Sequence, residues 1–188
     1  MTTATMDSCH FFRAWIRDPL RVASITPSGN SLSDLIVREI GPEMGRVIEL
    51  GPGTGVFTRA LLRRGVAEED IVLVENGPEF AGLLRMRFPK AKVVCADAAK
   101  LARFCPEPAG AAISGLPLLS MRPEKVFAIL AGTFSRLGEG AALYQFTYGL
   151  RCPVPRAVLD RLDLSAVRIG STMRNLPPAF VYRISRAR

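Results

Sequence analysis

The chain has 188 residues, 48% of them hydrophobic and 22% charged, and a formal net charge of +8. That balance excludes a disordered or fibrous chain and suits one domain with a sizeable core. The positive charge asks for an anionic partner, whether nucleic acid, an acidic lipid surface or an acidic substrate, and does not choose among them.

In chain order, residues 1–9 lack the basic stretch of a secretory signal and no apolar core follows them. Residues 8–18 read as a helix. At about 100° per residue, Phe11, Phe12, Trp15 and Ile16 share one arc, with His10, Arg13 and Arg17 opposite. Asp7 or Ser8 can cap the start, and Pro19 marks the end. An aromatic face opposed by arginines suits an interfacial membrane helix, and it suits equally a helix packed over the domain as a lid. His10, the only histidine, is expected to be solvated or to face headgroups rather than to catalyse. Residues 1–20 are thus set apart from a single domain over 21–188. Residues 20–31 form a connector in which Pro27-Ser28-Gly29-Asn30-Ser31 is expected to turn. A helix over 31–40 follows, with Leu32, Leu35, Ile36 and Ile40 on one face, and Gly41-Pro42 stops it.

The stretch Val47-Ile48-Glu49-Leu50-Gly51-Pro52-Gly53-Thr54-Gly55-Val56-Phe57-Thr58 reads as a strand over 46–50, a tight turn and a helix over about 56–64. Such a junction holds nucleotides in doubly wound sheets. The glycines alternate, and Val56 stands where a dinucleotide fingerprint has its third glycine. This Glu-x-Gly-x-Gly-x-Gly pattern resembles the first motif of class I methyltransferases, which use S-adenosylmethionine (SAM). Glycines let the backbone approach the methionine part, and exposed N–H groups can face its carboxylate.

Two further signals stand at strand ends. Ile71–Val74 reads as a buried strand, and Glu75 after it falls where such units place a ribose-binding carboxylate. A helix over 77–87, with Phe80, Leu83 and Leu84 inward, leads to a strand over 91–95. Asp97 and Ala98 then offer a carboxylate for adenine N6 and a backbone N–H for its N1. Three ligand-like signals at successive strand ends are far more specific than any one.

A short fourth strand, 111–113, precedes Ser114-Gly115-Leu116-Pro117-Leu118-Leu119-Ser120, where class I enzymes usually put their reacting site. A helix over 122–136 and a strand over 141–148 follow. In that strand Tyr144, Phe146 and Tyr148 share one face, and Gln145 and Thr147 the other. A short helix near 155–162 leads to two alternating runs, 164–173 and 179–185, expected to close as an antiparallel hairpin across Arg174-Asn175-Leu176-Pro177-Pro178. The expected fold is therefore α/β: a Rossmann-like, seven-stranded, mostly parallel sheet with helices on both faces and a C-terminal antiparallel hairpin. Cys9, Cys95, Cys105 and Cys152 form no Cys-x-x-Cys pair, as expected of reduced thiols in a cytosolic protein, and no metal-ligand set is read.

Several segments carry a closer resemblance. Phe11-Phe12-Arg13-Ala14-Trp15, Asp18-Pro19-Leu20-Arg21-Val22, Thr26-Pro27-Ser28, the glycine motif, Ser114–Leu118 and Gln145-Phe146-Thr147-Tyr148-Gly149 look like the small bacterial phospholipid N-methyltransferases. The resemblance implies stepwise methylation of phosphatidylethanolamine, through mono- and dimethyl forms, to phosphatidylcholine, with S-adenosylhomocysteine left behind. It also implies an N-terminal helix that docks on anionic lipid through Phe11, Phe12, Arg13, Trp15, Ile16 and Arg17. That would be a monomer bound peripherally at the cytoplasmic face of a bacterial membrane. On the same similarity alone, Thr26, Pro27 and Ser28 would line the cofactor's entrance. The glycine motif also resembles that of ribosomal RNA adenine dimethyltransferases. Those carry an Asn-Leu-Pro-Tyr type sequence whose aromatic stacks on the base. Here Leu118 replaces the aromatic, and no C-terminal RNA-binding domain is expected, so nucleic acid is not the expected partner.

Methyl transfer from a sulfonium is an in-line substitution, so alignment is the main task. A protonated primary amine with a pKa near 10 must first lose its proton, at a cost of roughly 4 kcal/mol at neutral pH. The expected cofactor residues are Glu49, Gly51, Gly53 and Gly55, with Glu75 on ribose and Asp97 and Ala98 on adenine. Ser114, Gly115 and Leu116 would face the methyl donor and the amine. Tyr148 would orient the amine or pass its proton, or else be a packed aromatic; Tyr144 is expected in the core. A SAM-binding, membrane-attached module without catalysis would need the same pocket and first helix.

Overall fold

The computed structural model describes residues 28–105, 107–173 and 178–187. The N-terminal helix read over 8–18, with Thr26 and Pro27, lies outside the described residues, as do four residues of the last connector.

All seven strands join one sheet in the order β3–β2–β1–β4–β5–β7–β6. They are β1 (Val47–Leu50), β2 (Ile71–Glu75), β3 (Lys92–Cys95), β4 (Ala109–Ser114), β5 (Leu137–Thr147), β6 (Leu164–Thr172) and β7 (Ala179–Arg186). β1 to β5 run parallel, and β7 inserts antiparallel between β5 and β6. The chain moves outward from β1 through β2 to β3, then returns to β4 on the other side of β1. That reversal opens a crevice at the carboxyl ends of β1 and β4, the general ligand position of such sheets.

Helices cover both faces: α1 (Ser28–Ile36), α2 (Val56–Arg63) and α3 (Pro78–Arg87) on one, α4 (Pro123–Phe134) and α5 (Arg156–Arg161) on the other. The strands read as nearly continuous apolar runs because both faces are buried. Within β1, Val47 faces the first layer with Ile36, Leu61 and Leu84, while Ile48 and Leu50 face the second with Leu101, Ile129 and Leu130. Each such side chain contributes about 1.5–3 kcal/mol when fully buried. Among the described residues no helix is long and apolar enough to cross a membrane.

Three boundaries differ from the sequence reading. α1 starts at Ser28, so the expected turn at 28–30 is helix, and it ends at Ile36 rather than 40. First-turn N–H groups need no partner within the helix, so Ser and Asn are well tolerated there. Ile40 is still fully buried. β4 begins at Ala109, where Gly110 lies against the Met44 carbonyl with no room for a side chain. β5 begins at Leu137 instead of 141. Gly138-Glu139-Gly140 has the composition of a turn, but here it is a bulge: Ala109 pairs Leu137, yet Ala111 pairs Ala142, and Gly140 has φ +73°.

Candidate active site

Gly51, Gly53 and Gly55 all have positive φ (66°, 55° and 79°), the left-handed region in which a side chain is strained. Their surroundings differ. A Cβ at Gly51 would lie 2.6 Å from Leu116 Cδ2, and one at Gly55 would enter the Phe88 ring; at Gly53 nothing lies within 4 Å. Two glycines therefore let the turn pack, and the middle one leaves its backbone facing open space. Arg59 Nη1 and Arg87 Nη1 both donate to the Thr54 carbonyl, at 3.1 and 2.8 Å, fixing the turn from the helix side.

Glu49 is fully buried on the α2 face of β1. Thr58 Oγ1 donates to its Oε2 at 2.7 Å, and its Oε1 has no hydrogen-bond partner. Burial pushes its pKa up from 4.5 to about 7, against the opposing pull of Thr58 and Arg59 and with a smaller push from Glu75. A buried carboxylate with an idle oxygen beside a nucleotide-type turn is set to receive a cationic group.

A cleft of about 550 Å³, open to solvent, runs past the turn. Gly51, Pro52, Gly53 and Thr54 line one side, with Glu75 and Phe80, and Gly115, Leu116 and Pro117 line the other. The lining is mostly apolar with few polar groups, the character of a small-molecule site. The two loops touch through backbone. Gly115 N donates to Leu50 O at 2.8 Å, and a Cβ at Gly115 would lie 2.7 Å from Gly51 O. Glu75 bridges the rim: Oε2 accepts from Gly53 N at 3.1 Å and Oε1 from Gly77 N at 2.8 Å. Asp97, after β3, accepts from Ala99 N at 2.9 Å and pairs with Lys125 of α4. The Lys125 hydrogen bond is the largest cause holding its carboxyl below the usual range. Ala98 opens the short 3-10 helix that follows.

The structure brings Gly51, Gly53, Glu75, Gly115 and Leu116 to one cleft. Gly55, Glu49, Asp97, Ala98 and Ser114 flank it without lining it. Ser114 is buried and its Oγ accepts from Leu116 N at 3.2 Å, so it shapes the loop from within. Tyr148 stands just past β5, half-buried, packed edge-on to Phe146 at 5.5 Å between ring centroids, and is not among the cleft's lining residues. Tyr144 is in the core, as expected. Its hydroxyl donates to Glu39 at 3.2 Å, and burial with Glu39 pushes its pKa up to about 12. Ser28 opens α1.

Besides Pro52, Thr54, Val56 and Pro117 within the motif segments, three residues were not singled out for the site from sequence. Phe80, assigned inward, lines the cleft. Lys125 holds Asp97 from 28 residues away. Gln145, 1% exposed, donates from Nε2 to Leu116 O at 3.1 Å and to Phe146 O at 2.8 Å. The one available signal was an isolated glutamine in an apolar strand, which must find partners when buried.

No family model matches the chain. It is 31% identical over 189 residues, 92% of each chain, to an ornithine lipid N-methyltransferase of Singulisphaera acidiphila. A 78-residue part, 42% of this chain, is 40% identical to a ribosomal RNA small subunit methyltransferase A of Synechococcus and spans 25% of it. Among solved structures, N-methyltransferase NodS of Bradyrhizobium japonicum superposes with TM-score 0.66 at 13% identity, over 95% of this chain and 98% of that one. An rRNA methylase of Streptococcus thermophilus superposes at 0.60 and 16% identity, over 87% and 99%. The fold is shared by enzymes with different acceptors, so fold alone does not select a substrate. On the full-length relationship, the chain belongs to the class I SAM-dependent methyltransferases, in the family of the ornithine lipid N-methyltransferase.

Proposed function

We propose that the chain is a membrane-surface aminolipid N-methyltransferase, methylating phosphatidylethanolamine stepwise through mono- and dimethyl forms to phosphatidylcholine at the cytoplasmic face of a bacterial membrane. The observation that carries the reading is the 31% identity across 92% of a lipid N-methyltransferase. An ornithine headgroup and an ethanolamine headgroup both present an aliphatic amine on a lipid, and the same alignment task serves both.

The residues fit SAM. The idle buried oxygen of Glu49 suits its ammonium, and the open space at Gly53 admits its methionine part beside the backbone. Glu75 serves the ribose hydroxyls, and Asp97 with Ala98 the adenine. When bound, the sulfonium supplies an electrophilic methyl group. This chain's own residues do the rest. The apolar cleft desolvates the amine, which lowers its pKa and frees the lone pair. Leu116, whose carbonyl is held by Gln145 Nε2 and by Leu118 N, shapes the wall against which the amine lies, and Ser114 and Gly115 keep that loop in place. The amine's proton leaves to solvent through the open mouth of the cleft, since Tyr148 does not line it.

The 78-residue match favours one second reading, methylation of adenine in ribosomal RNA. Against it, Leu118 is only 2% exposed and packs in the α4 layer, so it offers no face on which a base could stack. The test is turnover with SAM on anionic vesicles containing phosphatidylethanolamine or, separately, ornithine lipid, with unmethylated small-subunit ribosomal RNA in a third tube. Methylated phosphatidylethanolamine detected by mass establishes the proposal, and methylated ornithine lipid alone moves it to that headgroup. Label in RNA with untouched lipid replaces it with the adenine reading.

A further inference from the structure

Two large apolar side chains stand exposed immediately beyond the acceptor loop. Leu119 is 58% exposed and Leu150 75%. They come from different segments, one after β4 and one after β5, yet they lie together. The position of a Cβ on Gly149 is 3.6 Å from Leu119 Cδ1, and Leu150 is the next residue. Both are presented by anchored backbone. Leu119 sits in the 3-10 turn Leu118–Ser120, pinned by buried Leu118 and by hydrogen bonds from Ser120 N to Pro117 O (2.9 Å) and Met121 N to Leu118 O (3.2 Å). Leu150 is fixed by Tyr182 of β7, whose hydroxyl donates to its carbonyl at 3.0 Å. A leucine held rigidly in water by such contacts forgoes burial that a small turn could otherwise arrange.

Exposed Arg122 and Arg151 flank the pair, with Glu124 the nearby acid. Apolar side chains bordered by arginines match the boundary between acyl chains and anionic headgroups. We propose that Leu119 and Leu150 form a membrane-docking rim at the mouth of the acceptor loop, entering the interfacial layer of an anionic bilayer. An aminolipid could then reach Leu116 with its chains still in the leaflet. This deepens the aminolipid reading and rests on it, since only an acceptor held in a membrane requires the loop itself to meet lipid.

The test is depth-sensitive quenching in the full chain. With Trp15→Phe as background, the single replacements Leu119→Trp, Leu150→Trp and, as a control on the far edge strand, Val167→Trp each report one position. Val167 is 52% exposed, so the three start from comparable exposure. Anionic vesicles with brominated acyl chains should quench the first two indoles and spare the third. The double variant Leu119→Ser/Leu150→Ser should lose roughly tenfold or more in vesicle affinity by flotation. Equal quenching at all three positions, or none at 119 and 150 on vesicle-bound protein, overturns the rim. Shielded indoles would mean that another part of this chain or a second copy covers the leucines. A chain that does not bind such vesicles overturns it as well. Quenching needs no turnover, so quenched indoles with unmethylated lipid would refute the reaction and leave the docking surface standing.

Discussion

The two sides of the cleft are built on different principles. The side that carries the glycine turn is local: three left-handed glycines, a buried acid two residues before them, and a carboxylate at the end of the next strand. The facing side, proposed to take the acceptor, is held by non-local contacts. Its central carbonyl, Leu116 O, is held by a glutamine 29 residues away, and its rim combines segments after β4 and β5 with Tyr182 of β7. A turn whose geometry depends on φ can be specified by a dozen residues, whereas a substrate opening must be assembled from the whole sheet. The first arrangement suits a ligand common to many enzymes, and the second suits a site that varies.

The largest expected effect lies where the two sides meet. Gly115→Ala places a Cβ against the Gly51 carbonyl, a backbone atom that cannot swing aside. Prying the loops apart should lower kcat/KM by about a hundredfold and weaken SAM binding, read by turnover and calorimetry. Preserved activity would mean that the loops are independent.

Glu49→Gln probes the turn side alone. SAM affinity at pH 8 should fall about tenfold, the scale of one charged hydrogen bond. In the native chain that affinity should weaken as pH drops below about 7, where Glu49 takes up its proton, and the variant should lose this dependence. Stability moves the other way. Between pH 4.5 and about 7 the folded chain holds a proton that the unfolded chain has released, so Glu49 makes stability decline as pH rises through that window. The glutamine variant should escape the decline and be more stable at pH 8, by on the order of 3 kcal/mol at most, in denaturant titrations.

On the proposed acceptor side, Gln145→Leu removes one of the two donors to Leu116 O, leaving only Leu118 N. It should lower kcat by about tenfold while leaving SAM affinity unchanged, a split that a merely destabilised fold would not give. Lys125→Met is expected to be milder because the Asp97 pair is partly exposed: roughly a two- to fivefold loss in SAM affinity. The smallest effect belongs to a glycine outside both loops. Gly82 in α3 has nothing within 4 Å of its Cβ position, so Gly82→Ala should add about 0.5–1 kcal/mol of stability with turnover unchanged.

The same division decided what was legible in the sequence. The sheet, both helical layers and the antiparallel hairpin followed from apolar runs and their spacing, and Glu75 from its place after β2. Glycine carries its reason locally, because positive φ excludes most other residues. Phe80 was misassigned because helical periodicity gives a direction around α3 but not where that helix lies along the cleft. Lys125 and Gln145 could not be assigned because their partners are set by strand order, which no local pattern encodes. The bulge at Gly138-Glu139-Gly140 was hidden for the opposite reason: its local pattern is that of a turn, and pairing with β4 overrides it.

The insertion of β7 between β5 and β6 bears on how the protein is made. On the ribosome, β1 to β4 and the complete glycine turn emerge first and can pair among themselves. β5 must wait for Ala179–Arg186 before its outer edge is covered and Tyr182 can anchor Leu150. A nascent or interrupted chain would thus hold the cofactor turn without a finished acceptor mouth. Such a chain would expose a strand edge and stray apolar surface, which makes it a client for chaperones and proteases before the site is complete.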